Sequence, residues 1–298
     1  MNNIFRIDLI SELHEVVGYD KPKHPLITIL NLNKISGVNV PKNAQTVSGL
    51  YTIALKLNCP FKYGRQNYDF REGSLMSAAP EQVVIIDDED YKLKQEGWML
   101  CFHPDLIRKS ELGRKMNEFT FFSYEVSEAL HLSEKEKEII TNIVKTIENE
   151  LNQNIDEYSQ DLIVSNIEVL LNYSKRFYGR QFITRSIANN DVIRRFNILI
   201  GDYFNSKDLE EKGIPNVKYL ANKMGYSTNY LSDLLRKETG KNTQEHIQLH
   251  LIEKAKTLLL GSSEPVNRIA YMLGFEYPAH FSKFFKLKTG ISPMEFRK

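Results

Sequence analysis

The chain has 298 residues, enough for two domains with separate cores, and a formal net charge of only +1. Residues 192–298 hold 17 Lys/Arg against 11 Asp/Glu, whereas residues 1–191 hold 22 against 27, so a basic end follows an acidic body. That asymmetry points to a polyanion-binding module joined to something else. Two cysteines, Cys59 and Cys101, argue against a disulfide framework. No apolar run approaches the length of a membrane span, and Arg6 interrupts any leader-like start. A cytoplasmic protein without a membrane partner is expected.

In chain order, residues 1–131 read as β-rich. Strands are predicted at 26–30, 50–57, 75–80, 82–86 and 97–103, with turn-forming residues at 71–74. Several short strands separated by turn signals suggest a small sandwich or barrel. Pro104 sits where a short helix would place proline in its first turn.

Residues 132–185 change to a helical period. Ser133 with Glu136 fits a capping box, and Ile139, Ile143 and Ile147 with Ile140, Val144 and Leu151 trace an apolar stripe. After a break at 154–156, a second helix carries Leu162, Ile163, Ile167, Leu170 and Leu171. The two are expected to pair antiparallel and to leave apolar surface for the body or for a second copy. Residues 178–186 read as a hinge.

The third region spans 192–298. A helix with Ile193, Phe196, Ile200 and Phe204 on one side precedes a helical hairpin at 217–240, a long helix at 244–260, and a second hairpin at 266–290. Within the second hairpin, Val266, Ile269, Ala270 and Leu273 fall on one face, Gly274 ends the helix, and Phe281, Phe284 and Phe285 restart the pattern. An offset of 49 carries Val217, Ala221 and Gly225 onto Val266, Ala270 and Gly274; an offset of 50 carries Ser232, Arg236 and Gly240 onto Ser282, Lys286 and Gly290. The register slips by one only inside the turn. Two copies of one helix-turn-helix unit explain this, and a chance hairpin does not.

These residues resemble the DNA-binding domain of the AraC/XylS family of bacterial transcription regulators. The resemblance covers about the last hundred residues. It rests on Ala221, Gly225, Ala270 and Gly274, on the long helix between the hairpins, and on the closing Gly290-Ile291-Ser292-Pro293-Met294-Glu295-Phe296-Arg297. The β-rich start followed by two helices is similar to the cupin-type sensing and dimerising part of such regulators. The resemblance therefore implies a multidomain α and β chain: a cupin-like barrel at 1–131, a helical dimerisation pair at 132–185 and an all-α domain with two helix-turn-helix units at 192–298. It also implies double-stranded DNA, a small-molecule effector, a second copy and RNA polymerase as partners, and an activator as the kind of regulator.

Carried onto this chain, the base-reading positions are Asn229, Ser232 and Asp233, flanked by Thr228 and Arg236, and in the second unit Ala279, His280, Ser282 and Lys283. Asn229 suits adenine, Asp233 can accept from cytosine N4, Lys283 can donate to guanine, and Ala279 can meet a thymine methyl. Asp233 and Ala279 depart from the Arg or Gln frequent at such places. Phosphates are expected on Lys218, Lys237, Lys241, Lys286 and Lys288 and on helix N-termini.

Catalytic and metal readings find little support. His246 and His250 stand four apart, but the order His-Glu-x-x-His is missing, and an exposed helix face is the expectation. His14, His24, His103 and His131 do not form the His-x-His of a metal-binding cupin, and strand pairing accounts for Cys101 beside His103. No cofactor, metal or catalytic residue is assigned. The rival from another class is a cupin-like enzyme fused to a DNA tether.

Overall fold

A computed structural model of the chain describes residues 4–35, 39, 45–57, 73–85, 96–125, 128–153, 156–184 and 186–297. Cys59, the turn residues 71–72, Ile86 and the helix break at 154–155 lie outside the described residues, as do Arg185 and Lys298. The chain divides into two compact units, Met1–Gln181 and Phe182–Lys298.

The first unit contains strands β1 (Ile4–Ile7), β2 (Ile27–Asn31), β3 (Gln45–Ser48), β4 (Tyr51–Leu57), β5 (Ser74–Ala78), β6 (Val83–Ile85), β7 (Glu96–Phe102) and β8 (Leu130–His131). They form a five-stranded antiparallel sheet in the order β2-β7-β4-β5-β8 and a three-stranded sheet in the order β1-β3-β6, with β1 parallel to β3. The sequence reading missed β1, β3 and β8. Each is short, and pairing with a distant strand supplies the hydrogen bonds that its own residues do not announce.

Register decides which residues face where, because side chains alternate along a strand. Thr52 pairs with Cys101 and Ala54 with Met99, and all four line a cavity of about 580 Å³. The intervening Ile53 and Leu55 pair with Leu100 and Trp98 and are buried on the opposite face. There the Trp98 indole donates to Thr141 Oγ1 at 3.2 Å, which fixes the sheet against a helix. Thr46 and Ser48 on β3 line the same cavity from the second sheet.

Helix α1 (Ile10–Val17) was not anticipated, although Ile10, Leu13 and Val17 have helical spacing and Gly18 ends it at φ 65°. Its buried apolar side chains join Ile7, Leu30, Leu50 and Cys101 in one apolar cluster. Helix α2 (Glu111–Lys115) follows a single 3-10 turn at Pro104–Leu106, where a helix was expected.

Helix α3 (Glu134–Leu151) begins at the expected capping box: Glu136 N donates to Ser133 Oγ, and Ser133 N donates back to Glu136 Oε2 at 3.0 Å. Ile140, Val144 and Ile147 are buried, while Ile139 and Ile143 are half-buried. Helix α4 (Ser159–Thr184) buries Ile163, Ile167, Leu170 and Leu171. Leu162 is 50% exposed. The pair is antiparallel, since Arg180 near the end of α4 donates to Glu136 at the start of α3 at 3.0 and 2.8 Å. The hinge expected at 178–186 is helical through Thr184, Gly179 included; one glycine in the helix is insufficient to break it.

The second unit is helical: α5 (Ser186–Asn205), α6 (Asp208–Lys212), α7 (Val217–Met224), α8 (Thr228–Thr239), α9 (Thr243–Gly261), α10 (Val266–Met272), α11 (Pro278–Thr289) and α12 (Pro293–Arg297). Its core takes Phe196 and Ile200 from α5, Leu220 and Ala221 from α7, and Leu231 and Leu235 from α8. Ile247 and Ala255 of α9, Ile269 and Ala270 of α10, and Phe281 and Phe285 of α11 complete it. Each of these side chains is at most 1% exposed.

Candidate nucleic-acid interface

The two hairpins share hydrogen bonds as well as residues. After α7, Tyr226 N donates to Ala221 O at 3.0 Å with Gly225 at φ 76°; after α10, Phe275 N donates to Ala270 O at 3.0 Å with Gly274 at φ 78°. In both, a residue in the left-handed region lets the chain turn back under the first helix, which glycine does without steric cost. Ala221 and Ala270 are completely buried.

The starts of the second helices differ. Ser227 caps α8 by accepting from Tyr230 N at 3.2 Å. The longer second turn ends on Tyr277, which makes no side-chain cap, and Pro278 opens α11 instead. The ends converge again. Thr239 Oγ1 bonds Leu235 O and Lys241 O, and Thr289 Oγ1 bonds Phe285 O and Ile291 O. Asn242 with Glu245 then caps α9 as Ser292 pairs with Glu295 at α12. The repeat thus runs through the following helix, further than the hairpins alone.

On α8, Thr228, Asn229 and Asp233 are half-buried and Arg236 is exposed. Ser232 is placed differently: its hydroxyl lies 3.0 Å from Thr243 Oγ1, on the first turn of α9. On α11, Ala279, His280 and Lys283 are exposed and Ser282 is half-buried. Phe284, expected in the core, is half-buried against Phe275. Tyr277, which the sequence reading passed over, is 54% exposed and meets the His280 ring edge-on at 5.3 Å. Its position just before Pro278 was the available signal.

The cations separate into two groups. Lys212, Lys256, Arg194 and Arg268 are tied to Asp208, Glu253, Asp191 and Glu210. Lys218, Lys237, Lys241, Lys283, Lys286 and Lys288 are exposed and enter no ion pair among the described residues. Cations left unneutralised on the hairpin helices and the turn after them are what a polyphosphate ligand requires.

His246 and His250 do not lie on an open helix face. His246 packs against Phe196 and its Nε2 lies 2.8 Å from Thr239 Oγ1, while His250 packs against Phe204. Burial lowers both pKa values, and for His246 the neighbouring His250 and Lys241 add to this. They are helix-packing residues. Among the described residues no group of three or more His, Cys, Asp or Glu is arranged to hold a metal, and no helix is long and apolar enough to cross a membrane.

Residues 220–298 match the model of a helix-turn-helix domain family. The C-terminal unit carries a helix-turn-helix domain of the AraC type. Relatives include the HTH-type transcriptional regulator YijO of Escherichia coli, 27% identical over 195 residues that make up 65% of this chain and 64% of that protein. Another is the transcriptional activator RhaS of Citrobacter koseri, 30% identical over 45% of this chain and 46% of that one. The solved C-terminal domain of the response regulator yesN from Fusobacterium nucleatum is 26% identical. It covers 36% of this chain and 99% of its own, with a TM-score of 0.33. The chain spans less than two thirds of the length of the first relatives it matches. Within the AraC-type domain, α7 with α8 and α10 with α11 form the two hairpins and α9 joins them.

Proposed function

We propose that this chain is a sequence-specific DNA-binding transcription regulator that works as a dimer and responds to a small molecule through its first unit. One observation carries the DNA-binding part: two matching hairpins, joined by one helix, present lysines that no carboxylate among the described residues neutralises. The 19 residues of α9 extend about 28 Å at 1.5 Å per residue. That length suits a pair of readers meant for successive major grooves about 34 Å apart.

Base contacts are assigned to Thr228, Asn229, Asp233 and Arg236 on α8 and to Ala279, His280, Ser282 and Lys283 on α11. Phosphate contacts are assigned to Lys218, Lys237, Lys241, Lys286 and Lys288. Ser232 is reassigned to positioning α8 on α9. The first unit is read as a cupin-like sensor, on the strength of two sheets facing one cavity, and α3 with α4 as the dimerising pair. An effector would act by changing how two AraC-type domains occupy adjacent half-sites, with RNA polymerase as the downstream partner and activation as the outcome. The protein is read as a cytoplasmic regulator and not as an enzyme.

Selection of bound sequences from a random DNA pool with the full-length chain tests the reading. Two half-sites about one helical turn apart are the expected product; a pool that stays random after repeated rounds would overturn it.

A further inference from the structure

The cavity of the first unit takes no part in the DNA contact. At about 580 Å³ it lies in the range of small-molecule sites, about 300–1,000 Å³. Leu13, Leu50, Met76, Met99 and Phe121 supply much of its wall. Among the described residues one lysine, Lys56, and one acid, Glu125, also line it. A charged ligand would lose hydration there with no surplus of opposite charge among the described lining residues, and a polyol would set several hydroxyls against hydrocarbon.

Most cavity-lining polar groups have partners. Ser48 Oγ accepts from Leu50 N, Thr52 Oγ1 lies 3.6 Å from Cys101 Sγ, and the Gln82 amide is engaged by Ala79 N and Phe122 O. Among the described residues Thr46 is the most buried exception. It is 4% exposed, it lines the cavity, and its Oγ1 has no hydrogen-bond partner among the described residues. Ser77 lines the cavity too and its Oγ is also without a partner among the described residues, but Ser77 is half-buried and stands opposite Ile53, out of step with Met76 and Ala78, whereas Thr46 is buried. A buried hydroxyl without a partner carries a desolvation penalty that a ligand oxygen placed beside it would relieve.

We propose that this cavity binds an uncharged, mostly apolar small molecule whose single hydroxyl or carbonyl group pairs with Thr46 Oγ1. As the identity of an effector, this rests on the regulator reading above; as a binding site it stands without it.

The test uses the full-length chain and phenylnaphthylamine, an uncharged apolar dye that fluoresces when shielded from water. The dye brightens on binding, decanol displaces it, decanoate needs at least about tenfold more, and glucose does not compete. Thr46→Val keeps the dye site but weakens displacement by decanol about fivefold, the loss of one hydrogen bond. Ala54→Leu, which fills the cavity, lowers dye binding; should that variant melt early, Thr46→Val alone decides. No dye binding, decanoate competing as well as decanol, or an unchanged decanol response in Thr46→Val would each overturn the proposal. Because none of these measurements involves DNA, they fail or succeed separately from the random-pool selection.

Discussion

Ser232 and Thr243 are joined by a hydroxyl–hydroxyl hydrogen bond of 3.0 Å that ties α8 to α9, the helix between the two hairpins. The second hairpin cannot repeat it, because the residue 50 positions after Thr243 is Pro293. Thr243 is fully buried. Ser232→Ala is therefore expected to cost about 1 kcal/mol of stability, the usual net value of one such bond. The bound DNA sequence should not change. Urea unfolding and a random-pool selection check the two halves, and an altered base preference would return Ser232 to the reading set.

Two lysines on α11 should behave differently. Lys283, in the position proposed for a base edge, should weaken binding to its own site by about 1–3 kcal/mol on change to alanine and relax one base position. Lys286, proposed for a phosphate, should weaken binding to all sequences alike and lower the salt slope by about one. Titrations over a salt series, on the selected site and on scrambled DNA, separate the two; a sequence-selective loss in Lys286→Ala would contradict its assignment.

The two turn glycines provide a steric comparison. Both have positive φ, so alanine at either is expected to cost about 1–2 kcal/mol through backbone strain. At Gly225 an added Cβ meets nothing within 4 Å, whereas at Gly274 it would lie 2.6 Å from Leu209 O and 2.9 Å from Gly213 Cα. Those are backbone atoms and cannot rotate away. Gly274→Ala should be clearly the more destabilising, and equal melting temperatures for the two variants would refute this packing.

His246 and His250 make the domain sensitive to acid. Burial depresses both values below the ordinary histidine pKa of about 6.5, so the folded state holds fewer protons than the unfolded chain near that pH. Their contribution to stability is complete above the ordinary value and is lost as pH falls through the lowered folded value. The urea midpoint should therefore drop between pH 7.5 and pH 5.5, and His246→Phe with His250→Phe should reduce the drop. Phenylalanine already occupies the place equivalent to His246 in the second copy of the repeat, as Phe296. A drop of unchanged size in the double variant would place the proton uptake elsewhere.

Much of the second unit was legible because its signals are local. Ala221 and Ala270, Gly225 and Gly274, and the shared Thr-Gly ends each require a certain residue type for a backbone reason, and a displaced copy repeats the requirement. The Ser133 capping box was readable on the same ground. Tertiary structure decided matters where partners are remote in sequence. Strands β1, β3 and β8 exist because other strands complete their hydrogen bonds, and strand register places Thr52 and Ala54 on the cavity while Ile53 faces a helix. The turn of Ser232 toward Thr243, the packing of His246 and His250 on Phe196 and Phe204, and the unpaired Thr46 hydroxyl belong to the same class. Residue type names what a side chain is able to do, and its neighbours in space determine which of those things remains open to it.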